Sequence, residues 1–411
     1  MTDTEGTGWS YSPPGTLLGA LERGRGLGWA YAMADREAGV AAVLDCLRRD
    51  TRWDWGVDER GDYHAYLIRE LGVPIDPLLE LLDGPGEEGS ERAREALAPL
   101  ALLGSESARE ALRRHVREGE WWQETLSFLA DNWPAHWWED LGPDAVRRLG
   151  GERPAHWRSE PWLSWRELLP AREAAPPARR ELRITPRTDR LLAALADPDT
   201  PYRERDEAVR ILAERPAVPV ELLTLVPELT TDGRDGFGVR GLGGVGRAVR
   251  RLGPLAVGPA REWAVDGRHW LQWLGVRVLA EYGGVGDVPR LVAELANQWE
   301  ERTWCGPKTV ADGLARFGPV AAEAAPLLRR FWQLTPHSYE RPSYLKALHA
   351  IDPGAAAPLL GESLWDCERD ARLYAVRHVP LDGRLAVRLA ELRDSPGEYD
   401  ELREVAAGRL G

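Results

Sequence analysis

The residues that could do chemistry are spread along the chain, and few stand at catalytic or metal-binding spacings. The eight histidines form no His-Glu-x-x-His motif, and Cys46, Cys305 and Cys367 lie too far apart to make a zinc pair. No Gly-x-Ser-x-Gly motif is present. Residues 306–309 read Gly-Pro-Lys-Thr, which departs from a phosphate loop because proline separates the glycine from the lysine. We therefore expect no catalytic residue, no metal and no cofactor.

Residues 236–241 spell G-x-G-x-x-G, the pattern of a dinucleotide-binding loop. Such a loop follows a buried strand, whereas residues 220–235 read as a helix and a polar turn. Apolar and small residues recur instead at helical steps: Val239, Leu242, Gly246, Val249 and Leu252. This spacing predicts a repeat helix that ends at Leu252. In such a helix, Gly243 and Gly244 either allow a neighbouring helix to approach closely or weaken the first turn so that it frays.

Tryptophan is the residue type that stands out, with 19 in the chain and eight within residues 121–165. Acidic residues are interspersed with these indoles, and indole faces beside carboxylates suit cationic ligands and protein partners. We predict that a binding surface includes Trp121, Trp122, Trp133, Trp137, Trp138, Trp157, Trp162, Glu120 and Glu124. Two other interpretations are open: a layer of core indoles in an irregular helical region, and a pocket for a small molecule or sugar.

A run of aspartates lies nearer the N-terminus, where Asp50, Asp54, Asp58 and Asp62 are spaced by four residues. In one continuous helix they would share a face, and like charges at this spacing cost roughly 0.2–0.5 kcal/mol per pair. Such a face fits a basic partner, so Asp54, Asp58 and Asp62 are predicted binding residues. The alternative is that Asp50 caps a preceding helix and only part of the run is helical.

The elements that must position these residues have a helical pattern. Apolar residues share one helical face in two clear segments: Ala108, Ala111, Leu112 and Val116, and Leu291, Val292, Leu295 and Trp299. An apolar residue followed by Gly or Asp, here called a knuckle, recurs at Leu71-Gly72, Leu103-Gly104, Leu141-Gly142, Leu252-Gly253, Tyr282-Gly283, Phe317-Gly318, Ile351-Asp352 and Leu381-Asp382. Apart from one gap of 111 residues the knuckles are 30–38 residues apart, which is the length of a helical-hairpin repeat.

Residues 195–214 and 310–328 resemble HEAT repeats, including the lyase-type HEAT-like variety. Asp197-Pro198 and Val209-Arg210 match the family's Asp-Pro before a first helix that carries Val-Arg. The resemblance covers about residues 191–411, is looser over 60–150, and is absent from the first ~15 residues and from 150–190. It implies an all-α fold, an α-solenoid of antiparallel helix pairs in one array or in two sub-arrays, and it specifies function poorly.

The pattern divides the chain into four regions. Residues 1–15 are predicted to be a flexible N-terminus, and residues 16–165 an acidic, Trp-rich helical-repeat region. Residues 166–190 are rich in proline and arginine and interrupt the helical period, which predicts a linker or irregular bridge. Residues 191–411 form the regular HEAT-like region.

The charge of the chain restricts its partners. The net charge is −13, and residues 1–165 alone carry 18 arginines against 30 acidic residues. Nucleic acid and anionic membranes are disfavoured because both attract positive charge. No apolar run approaches the length of a membrane span, and no signal peptide is visible, which predicts a cytoplasmic protein. Only two of the 53 basic residues are lysines, a usage typical of a GC-rich, bacterial genome.

Together these patterns predict a non-catalytic helical-repeat scaffold that binds a basic protein or peptide partner through a concave, acidic and Trp-rich surface. An adaptor and a toxin-neutralising protein both fit this description. The resemblance to HEAT-like proteins leaves an enzymatic alternative, a DNA glycosylase or another nucleic-acid-binding enzyme, because such glycosylases hold DNA with Trp and Asp side chains on a basic surface. The charge of −13 argues against it. HEAT-like lyases that handle tetrapyrroles are a further alternative by resemblance alone.

Overall fold

The computed structural model describes residues 11–49, 52, 57, 58, 60–154, 157–165, 167, 186–231 and 240–411. These residues form an all-helical protein, as predicted. Extended pairing among them is limited to one isolated antiparallel bridge between Thr230 and Gly241. No helix in the described part of the chain is long and apolar enough to cross a membrane.

The helices follow one another closely along the chain. Those up to residue 149 are α1 Leu17–Glu22, α2 Gly26–Ala34, α3 Arg36–Arg48, α4 Gly61–Leu71, α5 Asp76–Leu82, α6 Glu87–Leu102, α7 Glu106–Glu118, α8 Trp122–Asn132 and α9 Gly142–Leu149. The next are α10 Thr188–Ala196, α11 Tyr202–Glu214, α12 Leu222–Leu225, α13 Val245–Leu252, α14 Val257–Trp263, α15 His269–Tyr282, α16 Val288–Glu300, α17 Pro307–Ala315 and α18 Ala325–Leu334. The last are α19 Arg341–Ile351, α20 Pro353–Ser363, α21 Arg369–His378, α22 Gly383–Asp394 and α23 Asp400–Leu410.

The chain folds into two compact units. The first unit comprises Met1–Ala175, Trp332–Leu345 and Gly354–Gly411, and the second comprises Pro176–Phe331 and Lys346–Pro353. The first unit therefore combines the N-terminal helices with those at the C-terminal end. The four-region division stays a prediction, since residues 168–185 of the proposed bridge and residues 1–10 lie outside the described residues.

At four of the eight knuckles a glycine adopts the left-handed backbone that commonly ends a helix. Helix α4 ends at Leu71, and Gly72 follows with a φ of 67°. Helix α13 ends at Leu252, and Gly253 follows with a φ of 58°. The knuckle at Leu381-Asp382 differs because it begins a helix: the Asp382 side chain accepts a hydrogen bond from the backbone N–H of Leu385 at the start of α22. The knuckle at Leu141-Gly142 likewise lies at a helix start, that of α9.

Helices pack mainly against their neighbours in the sequence, and their buried faces follow the predicted period. Helix α6 packs on α4, α5 and α7, while α15 packs on α14 and α17. The predicted face of α7 is buried at all four positions, from Ala108 to Val116. In α16, Leu291, Val292 and Leu295 are buried and Trp299 is half-buried. Helical periodicity in the sequence thus identifies which face of each helix enters the core.

The glycine-rich stretch precedes a helix in the structure. Helix α13 begins at Val245, later than the spacing predicts, and residues 236–239 of the G-x-G-x-x-G stretch lie outside the described residues. A Cβ on Gly244 would lie 2.8 Å from Cγ1 of Val209 and 3.0 Å from the backbone nitrogen of Arg210 in α11. A Cβ on Gly243 would approach nothing closer than 3.5 Å. Close approach of a neighbouring helix therefore explains the glycine at position 244.

The indoles of residues 121–165 form part of the core of the first unit. Trp122, Trp133, Trp138, Trp162 and Trp165 are all buried. Edge-to-face contacts connect four of them, with ring centroids 6.4 Å apart for Trp122 and Trp162, 5.6 Å apart for Trp162 and Trp165, and 5.7 Å apart for Trp138 and Trp165. Such pairs add roughly 0.5–1.5 kcal/mol each beyond the burial of their area. This arrangement matches the interpretation in which indoles fill an irregular helical layer.

Candidate functional site

A groove of about 490 Å³ opens in the first unit. Its walls are the first turn of α4, one face of α6 and the C-terminal end of α8. The opposite side consists of Cys367, just before α21, and of residues 396–399 between α22 and α23. The groove therefore lies where the N-terminal and C-terminal helices of the first unit meet.

Most of the charged side chains that line the groove are acidic. They are Asp62, Glu91, Glu95, Asp131 and Glu398. Arg60 is the basic residue among the lining residues, and it is buried. Among the described residues, no three His, Cys, Asp or Glu side chains are arranged to hold a metal ion. The lining thus holds five carboxylates and one guanidinium, and two of the carboxylates, Glu95 and Glu398, form ion pairs with Arg52 and Arg372.

Apolar and aromatic residues complete the lining. Ala98, Pro99 and Leu102 of α6 contribute aliphatic surface, and the rings of Phe128 and Tyr399 lie near the acidic groups. Each ring already has an arginine over it: the guanidinium carbon of Arg369 is 4.1 Å from the Tyr399 centroid, and that of Arg94 is 5.4 Å from the Phe128 centroid. Carboxylates together with aromatic rings form a surface that suits a basic peptide.

A glycine allows α4 to approach α6 at the groove. Gly61 begins α4, and a Cβ there would overlap the backbone carbonyl oxygen of Glu95. Residue 99 is proline, so α6 has no N–H at the position that would normally bond this carbonyl. Close packing at this point brings Asp62 and Glu95 to the same groove.

The floor of the groove contains a buried thiol between two arginines. Sγ of Cys367 accepts hydrogen bonds from Nη1 of Arg60 at 3.3 Å and from Nη2 of Arg341 at 3.1 Å. Burial raises the pKa of the Cys367 thiol to about 12, although both guanidinium groups act to lower it. A thiol with this pKa stays protonated at neutral pH, and the thiolate is the nucleophilic form. Cys367 is therefore part of the packing of the floor.

One buried arginine, Arg372, interacts electrostatically with two of the groove carboxylates. Oε2 of Glu398 accepts a hydrogen bond from Nη2 of Arg372 at 3.0 Å, and both side chains are almost fully buried. Burial lowers the pKa of Arg372, but the charges of Glu398 and Asp62 outweigh burial and raise it above its ordinary value. Arg372 therefore remains charged beside these two carboxylates.

Asp58 lies inside the protein rather than on an acidic face. Its carboxylate accepts hydrogen bonds from the backbone N–H of Ser338 at 2.8 Å and from the Ser338 hydroxyl at 3.1 Å, and it contacts Nδ1 of His337 at 3.3 Å. Burial raises the pKa of Asp58, but these contacts and the charge of Arg60 outweigh burial and lower it. These bonds fix the segment before α4 to the segment before α19.

The aspartate run does not form one helical face in the described residues. Helix α3 ends at Arg48 and α4 begins at Gly61, so Asp58 precedes the helix that contains Asp62. Asp50 and Asp54 lie outside the described residues. This differs from the expectation of one continuous face, because Asp58 lies outside the helix that contains Asp62. Only Asp62 of this pair reaches the groove.

The predicted tryptophan surface is largely interior. Trp122, Trp133, Trp138 and Trp162 are buried, so they offer no face to a partner. Half-buried positions are Trp121, Trp137 and Trp157, and exposed positions are Glu120 and Glu124. Glu120 lines a separate depression of about 300 Å³ with Asp83, Arg114, His115 and Glu118. The structure does not bring the predicted tryptophans to the acidic groove.

Most groove residues were not predicted from the sequence. Glu91, Glu95, Phe128 and Asp131 belong to helices whose pattern is amphipathic, and charged residues on such helices ordinarily face solvent. Glu398 and Tyr399 are far from α4 along the chain, and no local signal places them beside it. Two sequence features pointed toward this site: the acidity of the N-terminal region, and the aspartate run that contains Asp62.

Charge is unequally divided between the two units. The first unit has 44 acidic and 29 basic residues, whereas the second has 22 acidic and 24 basic residues. The entire negative excess of the chain thus belongs to the unit that contains the groove. Long-range attraction of cations consequently favours the first unit.

Comparisons with known proteins identify no family for this chain. No protein-family model matches the sequence, and a search of curated proteins finds no match. Among solved structures, the chain is similar to an engineered protein whose crystal structure was determined by the Northeast Structural Genomics Consortium. That similarity has 15% identity, covers 96% of this chain and 98% of the other, and has a TM-score of 0.34. A TM-score this low carries no argument about fold or function.

Proposed function

We propose that this protein is a non-catalytic helical-repeat scaffold that binds a basic segment of a protein partner in the acidic groove of its first unit. The lining of the groove carries this proposal, since five carboxylates and two partly accessible aromatic rings meet in a volume of about 490 Å³. A space of this size holds a few side chains of an extended or helical peptide.

The packing of the helices supports a solenoid-like repeat as the scaffold. Helices contact their sequence neighbours, as in α10 with α11 and α16 with α17, and knuckle glycines end several of them. In a helical-repeat array each pair of helices buries its apolar face on the next pair. We propose that the chain is a HEAT-like array on this basis.

Charge argues against nucleic acid as the groove's ligand. A phosphodiester backbone is bound by releasing counterions to lysines and arginines, and the groove presents carboxylates instead. The first unit as a whole is acidic, so a nucleic acid would be repelled from it. A basic polypeptide gains from both features.

The test compares two variants that have the same net charge. Glu91→Lys/Asp131→Lys reverses two groove charges, and Glu139→Lys/Glu404→Lys reverses two exposed charges outside the groove lining. The probe is a fluorescent peptide of alternating arginine and glycine, measured by fluorescence anisotropy at low and physiological salt. We expect the groove variant to weaken binding by about tenfold or more and the control by less than about twofold.

Two results would contradict the proposal. One is equal weakening by the two variants, which would mean that the peptide responds only to net charge. The other is the absence of binding by the wild-type protein at low salt, where attraction between surface charges is strongest. A binding constant that weakens with salt in the wild type and not in the groove variant is the supporting result.

A further inference from the structure

One oxygen of a buried groove carboxylate has no hydrogen-bond partner in the described part of the protein. Glu398 is 5% exposed and lines the groove. Its Oε2 accepts from Arg372, while its Oε1 is buried and accepts no hydrogen bond. A buried carboxylate oxygen left without a donor costs free energy, and native proteins seldom retain one without a reason.

The position of Glu398 in the chain brings it next to an aromatic ring. Residues 396–399 read Pro-Gly-Glu-Tyr and connect α22 to α23. Tyr399 is 40% exposed and is the residue that precedes α23. The guanidinium of Arg369 over this ring shows that the tyrosine accommodates a planar cation. Glu398 and Tyr399 both line the groove, so a ligand cation bound there has a carboxylate and an aromatic ring in the same lining.

The chemistry of these groups favours guanidinium over ammonium. A guanidinium presents its N–H donors as a flat fork that matches a carboxylate, and it stacks on aromatic rings. It is also more weakly hydrated than an ammonium, so it loses less on reaching a buried acceptor. Lysine would bring a compact and strongly hydrated charge to the same place.

We propose that Glu398 is the anchor of the groove and that it selects an arginine side chain of the bound polypeptide over a lysine. This inference rests on the proposed function of the groove. The arginine donates to Oε1 of Glu398 while Arg372 continues to donate to Oε2, so that one carboxylate joins an internal and an external guanidinium. Tyr399 lies beside the incoming guanidinium, and the exposed acidic groups such as Asp131 attract the peptide without discriminating between the two side chains.

The experiment measures affinity for three peptides of matched length, in which arginine, lysine or neutral citrulline alternates with glycine. We expect the wild-type protein to bind the arginine peptide about tenfold more tightly than the lysine peptide and to bind the citrulline peptide weakest. Glu398→Gln keeps the shape of the side chain and should remove the preference for arginine. Asp131→Asn is the matched control, and it should weaken arginine and lysine peptides equally.

A second variant keeps the experiment informative if Glu398→Gln does not fold. Tyr399→Leu leaves the buried pair with Arg372 intact and should weaken the arginine peptide more than the lysine peptide, with the thermal midpoint of each variant as the folding check. Equal affinity of the wild type for arginine and lysine peptides, or an arginine preference that survives both substitutions, would overturn the anchor. If salt-dependent binding to the groove persists in those cases, the proposed function stands without the arginine-selective anchor. If the wild type binds none of the peptides, both proposals fail.

Discussion

The buried ion pair between Arg341 and Asp366 gives a prediction whose size follows from the structure. The two side chains are essentially inaccessible to solvent. Nε and Nη2 of Arg341 donate to the two carboxylate oxygens of Asp366 at 2.9 and 2.7 Å. Arg341→Met retains much of the volume and removes the cation, so the Asp366 carboxylate is left buried without its partner.

The expected cost is about 3–5 kcal/mol of unfolding free energy, the range for breaking a buried ion pair from one side. In a unit of this size that loss lowers the thermal midpoint by roughly 6–20 °C. Arg393→Met is the matched control in the same unit. Arg393 also donates twice to a carboxylate, that of Asp394 at 2.7 and 2.6 Å, but the two side chains are 40% and 63% exposed. Loss of this exposed ion pair should lower the free energy of unfolding by less than about 1 kcal/mol.

Urea unfolding and differential scanning calorimetry of the two variants provide the assay. The double variant Arg341→Met/Asp366→Asn should recover part of the loss, because it removes the uncompensated charge. Equal destabilisation by Arg341→Met and Arg393→Met would refute the reasoning. A double variant less stable than Arg341→Met would also refute it, since the stranded charge would then not be the cause.

Three further predictions concern single residues. Burial raises the pKa of Glu368 to about 7 from 4.5, so its contribution to stability is present below pH 4.5 and is lost as pH rises through 7. The free energy of unfolding of the wild type, measured across that interval, should therefore decline by roughly 1–3 kcal/mol as pH rises, and Glu368→Gln should remove this decline. Gly244→Ala should lower the thermal midpoint because its Cβ meets α11, whereas Gly243→Ala should leave it unchanged or raise it. Trp162→Ala should cost about 3–5 kcal/mol in urea unfolding and Trp157→Ala clearly less, since Trp162 is buried and Trp157 half-buried; similar costs would contradict the core assignment.

Helices and their ends could be predicted because they depend on neighbouring residues. The face of α7 and the glycine that follows α4 are encoded within a few residues of sequence. The spacing predicts an earlier start for α13, because helical spacing alone does not reveal that Gly244 allows close contact with α11. Local pattern thus specifies the helices, while packing decides where some of them begin.

The groove could not be predicted, because its two sides come from opposite ends of the chain. Tyr66 of α4 and Ser395, just before residues 396–399, share a hydrogen bond although 329 residues separate them. No periodicity or motif encodes a contact at that distance. Tryptophan content raised the expectation of an aromatic surface, but composition does not say which helices cover an indole, and the structure covers Trp122, Trp138 and Trp162.

The most direct test of the groove is a hydrogen-exchange footprint of the full chain with the arginine–glycine peptide bound. We expect added protection in residues 91–102, 128–132 and 396–399, which line the groove, and no change in residues 288–300 of the second unit. Glu91→Lys/Asp131→Lys should reduce this protection at the same peptide concentration. Protection confined to the second unit, or binding that leaves residues 396–399 unprotected, would contradict the claim that this groove is the binding site.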